Sequence, residues 1–337
     1  MSIRIAINGF GRMGRLALRE SWGCPDFQIV HINEIAGDIY SAAHLLRFDS
    51  VHGQWDKSVS VENNQLVVDN HKIGYSQNQA IADTDWRGAK IDLILDCTGA
   101  FKSPEALSPY FEQGVTKVVV SAPIKGFPRD QVLNVVMGVN DHEYQGQDIV
   151  TAASCTTNCI APVVDVIHQC FGIAHGSMTT IHDMTNTQSI IDQYHKDLRR
   201  SRASSMSLIP TSTGSATAIT EIFPELKGKI NGVAVRVPLA NASLTDCVFE
   251  LQQAVTIEDV NQALKTAAEG RLKGVLGFEE LPLVSVDYCN DKRSGIVDGP
   301  STMVINGTQV KLLVWYDNEI GYVNRMMELV AKVTASM

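Results

Sequence analysis

Short apolar runs punctuate the first half of the chain, each bounded by polar or glycine-containing stretches. Residues 3–7, 28–32, 66–68, 91–97 and 117–121 read as β-strands. The segments between them suit helices, notably 15–19 and 104–113. This alternation runs to about Val150 and predicts one α/β domain. Further on, Ile160, Val163, Val164 and Ile167 recur at helical spacing, 177–181 reads as a strand, and 324–332 reads as a helix.

The first predicted strand feeds Asn8, Gly9, Phe10, Gly11, Arg12, Met13 and Gly14, a G-x-G-x-x-G pattern opening a predicted helix. Gly9 permits the tight turn, Gly11 lets backbone approach a pyrophosphate, and Gly14 allows close helix–strand packing. The second strand ends at Asn33 and Glu34. Glu34 stands where an acid holds adenosine ribose hydroxyls, and its charge opposes a 2′-phosphate, so the pattern reads as NAD binding. Thr98, Gly99 and Ser121 fall at predicted strand C-termini, where open α/β sheets bind ligands.

The stretch ASCTTNC, from Ala153 to Cys159, carries the candidate nucleophile. Ser154 suits an N-cap, which puts Cys155 in the first turn of a helix, against unpaired N–H groups that favour the thiolate. Taken alone, Cys155 could equally be a small core residue. Cys159, one turn on, reads as structural, and no second Cys or His pair supports a metal. His182, just after the predicted strand, is the candidate base. The seven cysteines lack framework spacing, which points to reduced thiols and the cytoplasm. A start directly in a strand argues against a signal peptide, and no apolar run is long enough to span a bilayer. A net charge of −9 argues against nucleic acid and anionic membranes as partners. The chain's 337 residues suffice for two domains.

With these residues in place, the chain resembles the phosphorylating glyceraldehyde-3-phosphate dehydrogenase family. The resemblance is carried by INGFGRMGR from Ile7, ASCTTNC, TTIHDMTNTQ from Thr179, HKDLRRSRA from His195, SLIPTSTGSATA from Ser207, VAVRVP from Val233 and WYDNEIGY from Trp315. It implies a Rossmann-type NAD domain, residues 1–153, completed by a C-terminal helix, 318–337. An α+β catalytic domain with a mixed, largely antiparallel sheet follows over 154–317. Cys155 would attack the aldehyde and His182 would move its protons, giving a thiohemiacetal, a thioester and then an acyl phosphate. The family's motifs carry over to Asn8, Arg12, Met13, Glu34, Ser121 and Asn318 for NAD. They carry over to Thr185 and Arg236 for the substrate's ester phosphate. For the attacking anion they carry over to Ser154, Thr156, Thr213, Gly214 and Arg200. The segment 183–208 resembles the loop that lines a neighbour's cofactor site, which implies a homotetramer.

Some positions depart from the family's usual pattern. Glu34 replaces a more usual Asp, Tyr194 a Pro, Thr217 a Lys and Ile320 a Trp, and 76–79 lacks the usual Arg and Pro. Erythrose-4-phosphate dehydrogenase shares Glu and Tyr at two of these sites but tends to lack Thr185 and the Thr213–Gly214 pair. The runs GRMGRLALR, HDMTNTQSIIDQYHKDLRRSRASS and GSATAI look most like the member associated with arsenic resistance. That likeness implies arsenate as a second attacking anion, 1-arseno-3-phosphoglycerate as product and functional coupling to an arsenic efflux permease. The ordinary glycolytic enzyme, a semialdehyde dehydrogenase and a catalytically idle binding protein are the other readings.

Overall fold

The computed structural model describes residues 2–337, which divide into two compact units, 2–153 with 323–337, and 154–322.

The first unit opens with β1 (Ile3–Asn8), α1 (Arg12–Ser21), β2 (Phe27–Asn33) and α2 (Ile39–Arg47). A two-strand ribbon, β3 (Phe48–Asp49) with β4 (Gly53–Gln54), precedes β5 (Val59–Glu62), β6 (Gln65–Val68) and β7 (His71–Ser76). Then come β8 (Leu93–Asp96), α3 (Pro104–Glu112), β9 (Lys117–Val120), β10 (Leu133–Asn134) and β11 (Ile149–Thr151). The sheet runs β10-β11-β9-β8-β1-β2-β7-β6-β5, parallel from β10 to β7 and antiparallel from β7 through β6 to β5. Ile5, Ala6, Ile7, Leu93, Ile94 and Leu95 are fully buried, as strands covered on both faces must be. The chain leaves β1 toward β2 and returns on its other side at β8, so strand order reverses beside β1, where such sheets bind ligands.

The second unit begins with α4 (Cys155–Phe171) and β12 (Ile173–His182). It continues through β13 (Ile209–Ser212), α5 (Ser215–Ile222), β14 (Ile230–Arg236), β15 (Ser243–Leu251) and α6 (Ile257–Glu269). The strands β16 (Leu276–Glu279), β17 (Gly295–Asp298), β18 (Met303–Ile305) and β19 (Gln309–Tyr316) follow. The last helix, α7 (Ile320–Thr334), belongs from Val323 onward to the first unit. Its sheet, β13-β14-β12-β15-β19-β17-β16, is mixed and mainly antiparallel, with β18 on β19. The apolar face of α4 lies against β12, β15, β17 and β19. Alternate burial along β15 and β19 is the signature of strands with one covered face.

Register brings chemistry together here. His182 ends β12 beside Arg236, the last residue of the parallel neighbour β14. Ser243, the first residue of β15, pairs with Tyr316, the last of β19. Four strands thus deliver His182, Arg236, Ser243 and Tyr316 to one edge of the sheet.

Candidate active site

Cys155 is the first helical residue of α4 and is partly exposed. Ser154 caps the helix, its hydroxyl accepting the Thr157 N–H at 3.1 Å, which leaves Cys155 among the first N–H groups at the positive helix end. Cys155 Sγ lies 3.6 Å from His182 Nε2. On the ring's other side, Nδ1 is 2.7 Å from Asp183 Oδ1 and 2.7 Å from Arg236 Nη1. The edge of this group is closed by Tyr316, set edge-to-face against the imidazole and bonded through its hydroxyl to Thr156 and Thr180.

Charge decides which sulfur is a nucleophile. Burial pushes the Cys97 thiol up to about 12, and it also pushes Cys159, Cys247 and Cys289 upward. Burial acts on Cys155 in the same direction, but the His182 hydrogen bond and charge and the Arg236 cation overcome it, and this thiol moves down. His182 moves the other way. Burial opposes its charged form, yet the bonds to Asp183 and Cys155 raise the ring to about 9. Such a pair favours thiolate and imidazolium together.

The hydroxyl-bearing residues fall into two groups. Ser154 Oγ is 2.7 Å from Thr157 Oγ1 and 3.4 Å from Ser215 Oγ, which in turn accepts from Thr213 Oγ1 at 3.1 Å. Ser154, Thr213 and the N-terminal turn of α5, capped by Gly214, are therefore one cluster beside Cys155. Arg200 is tied by Nε to Thr211 Oγ1 at 2.9 Å, and its charge reaches Arg236. Thr156 is buried, its hydroxyl engaged by Tyr316. Thr185, two residues past Asp183, bonds Thr187 and Gln188, each at 3.0 Å. Asn318 is buried and its Oδ1 accepts from Ser243 Oγ at 3.2 Å.

In the first unit, Gly9 has φ 91°, and a Cβ there would lie 2.7 Å from the Cys97 carbonyl carbon. A Cβ on Gly14 would lie 2.2 Å from the Gly9 carbonyl oxygen, so both positions demand glycine. Gly11 instead faces open space, with nothing within 4 Å of a built Cβ. Glu34 is held beside this loop, its carboxylate accepting the Phe10 N–H at 2.6 Å and the Ala36 N–H at 2.7 Å. Open space at a helix N-terminus, next to a fixed carboxylate, fits a dinucleotide's pyrophosphate and ribose. Arg12 and Met13 stand in the first turn of α1, where Arg12 pairs with Asp49. The Asn8 side chain is engaged by Tyr110 and Asn33 inside the sheet. Thr98 bonds buried Asp96, Gly99 adopts φ 66°, and the Ser121 N–H reaches the Asp96 carbonyl at 2.9 Å.

Residues 3–104 match the family model described as the glyceraldehyde 3-phosphate dehydrogenase NAD binding domain, and 154–318 match the C-terminal domain of the same enzyme. The chain belongs to the glyceraldehyde-3-phosphate dehydrogenase family. It is 57% identical to glyceraldehyde-3-phosphate dehydrogenase 3 of Nostoc sp., over the full length of both chains. It is 46% identical to the glyceraldehyde-3-phosphate dehydrogenase of Geobacillus stearothermophilus, covering 99% of each chain. It is also 46% identical to glyceraldehyde-3-phosphate dehydrogenase 1 of Bacillus subtilis, covering 99% of this chain and 98% of the other. As a member of this family the protein is an oxidoreductase, built from a Rossmann NAD-binding domain and a catalytic domain, and its cofactor is NAD.

Sequence reasoning missed Asp183, Ser215, Ser243 and Tyr316. Asp183 carried a readable signal, an acid next to the candidate base. The other three owe their places to strand register and to the turn before α5, which leave no local trace in the sequence.

Proposed function

We propose that this protein oxidises D-glyceraldehyde 3-phosphate with NAD and an inorganic oxyanion, using Cys155 as nucleophile and His182 as its proton carrier. The observation that carries this reading is the 3.6 Å approach of Cys155 Sγ to His182 Nε2, with the thiol shifted down and the ring up. Arg236 and Thr185 take the ester phosphate, a forked permanent charge beside a hydroxyl. Cys155 Sγ attacks the aldehyde carbon, while His182 Nε2–H and the Cys155 N–H face the oxygen that becomes negative. Gly11 and Glu34 would hold NAD, the family's motif assigns its carboxamide to Asn318, and the cofactor would supply a hydride acceptor. His182 gives its Nε2 proton to the aldehyde oxygen as the hemiacetal forms and takes it back from the hydroxyl as the thioester forms. The second oxyanion, bound by Ser154, Thr156, Thr213, Gly214 and Arg200, then attacks the thioester carbonyl and Cys155 leaves as thiolate.

The acceptor anion in this reading is phosphate or arsenate, both tetrahedral and alike to hydroxyls and arginine. Arsenate would give 1-arseno-3-phosphoglycerate for an efflux permease, and the long runs shared with the arsenic-associated version support that role. The working form is a cytoplasmic homotetramer, supported by the bare apolar side chains of Ile190, Tyr194 and Leu198.

NADH formation from glyceraldehyde 3-phosphate or erythrose 4-phosphate, with phosphate or arsenate, tests the substrate and the anion together. Cys155→Ser is expected to lose all turnover with either anion and to keep NAD affinity within about twofold. Turnover surviving in Cys155→Ser removes this sulfur as nucleophile. A preference for erythrose 4-phosphate moves the chain to the alternative substrate, and failure with arsenate ends the arsenic role.

A further inference from the structure

Asp183 follows His182 directly and is completely buried. Its Oδ1 is 2.7 Å from His182 Nδ1, and its backbone N–H donates to Ser243 Oγ at 3.1 Å. The Ser243 hydroxyl can donate its single proton to Asp183 Oδ1 at 3.3 Å or to Asn318 Oδ1 at 3.2 Å, but not to both. Asp183 Oδ2 has no hydrogen-bond partner. A dry carboxylate in this position needs a cation or strong donor.

Two arrangements of the ring are exclusive. If Nδ1 lacks a proton it accepts from Arg236 Nη1 at 2.7 Å, and then its lone pair and that of Asp183 Oδ1 compete for the same ground. If Nδ1 carries a proton, it can donate to the carboxylate at Asp183 Oδ1, 2.7 Å away, and to the Asp183 carbonyl at 3.0 Å, while Arg236 Nη1 retains that carbonyl at 3.2 Å. The second arrangement gives Nδ1 and Arg236 Nη1 each a partner and places a negative charge beside the ring to offset Arg236. We propose that Asp183 is a positioning residue, its carboxylate holding the proton on His182 Nδ1 so that Nε2–H faces Cys155 and the charged ring survives beside Arg236. This rests on the reading of Cys155 and His182 as the reacting pair.

The groups facing the ring come from every neighbouring element. Cys155 comes from α4, Arg236 from β14, Tyr316 from β19, and Asp183 from the first position past β12, with Arg200 acting on Arg236 from farther off. Arg236 opposes the charged ring, while Asp183 and the thiolate favour it. Removing the Asp183 charge therefore lowers the pH at which the ring is lost as a donor.

The test is Asp183→Asn in the full-length protein, which keeps the shape and removes the charge. The alkaline limb of kcat/KM is expected to move down by at least about one pH unit, with turnover at pH 8.5 falling about tenfold. NAD affinity and melting temperature serve as structural controls. Nitrogen-15 NMR of His182 in the unaltered protein gives a second reading that needs no variant, with a proton on Nδ1 persisting above pH 8. An unmoved alkaline limb, or a neutral ring protonated on Nε2 alone at pH 7, overturns the assignment. Alkylation of Cys155 with iodoacetamide separates the two ideas. If alkylated protein still forms NADH, the nucleophile assignment fails; if it does not and the limb stays put in Asp183→Asn, only the role of Asp183 fails.

Discussion

Cys155 and His182 titrate as a pair, so their pH dependence belongs to both. The thiol lies below its ordinary value and the ring is raised to about 9, which leaves a window around neutral pH where sulfur is charged and nitrogen still protonated. Falling pH protonates the sulfur and removes the nucleophile. Rising pH through about 9 takes the ring proton and removes the donor. Replacing His182 with Gln removes the cation and leaves burial, which drives the thiol up. Alkylation of Cys155 at pH 7 is then expected to slow by at least about tenfold and to recover as pH rises. An unchanged rate in His182→Gln would mean that the helix end and Arg236 alone activate the sulfur. At this scale the sequence was readable wherever position follows local pattern, as for Ser154 at the helix cap, Cys155 in the first turn and the glycines after β1. It was silent on Arg236 meeting His182, because that contact spans 54 residues and depends on the register of β12 with β14.

Among the elements, the turn from β1 into α1 separates folding from binding through its glycines. Gly14 packs its helix onto the Gly9 carbonyl, so a methyl there must displace backbone. Gly14→Ala is expected to cost about 1–3 kcal/mol of stability and to weaken NAD binding with it. Gly11 has room for a methyl in the ligand-free fold, and Gly11→Ala is expected to stay within about 1 kcal/mol of the parent. The same methyl occupies space a pyrophosphate needs, so NAD affinity should fall at least about tenfold. Thermal unfolding and NAD titration of both variants check the contrast; equal affinity in Gly11→Ala would place the cofactor elsewhere. The strands and helix forming this turn were legible, since continuous apolar runs between glycines and caps admit few alternatives. The sheet order was not, because neighbours such as β1 and β8 pair across a long excursion through β2 to β7.

For the whole molecule, the surface of the second unit poses a solvation problem. Ile190, Ile191, Tyr194, Leu198, Met206 and Leu208 lie between 70% and fully exposed on one segment. Scattered exposed apolar residues are ordinary, but six within nineteen positions of one loop region form a surface that water covers poorly. The segment is internally braced, with Asp192 pairing Arg202 at 2.9 Å and the Ser204 N–H reaching the Ser189 carbonyl at 2.9 Å, so its shape does not need a partner to exist. A neighbouring copy of the chain is the cover that the proposed tetramer supplies. Sedimentation equilibrium should then give four chains for the parent protein. Leu198→Glu combined with Met206→Glu places charges in the covered surface and should shift the protein to smaller species. If this segment also borders a neighbour's cofactor site, the dissociated chains should bind NAD at least about tenfold more weakly. A parent protein that sediments as single chains would leave these side chains to water and remove the tetramer. A charged variant that stays assembled would move the interface to another face.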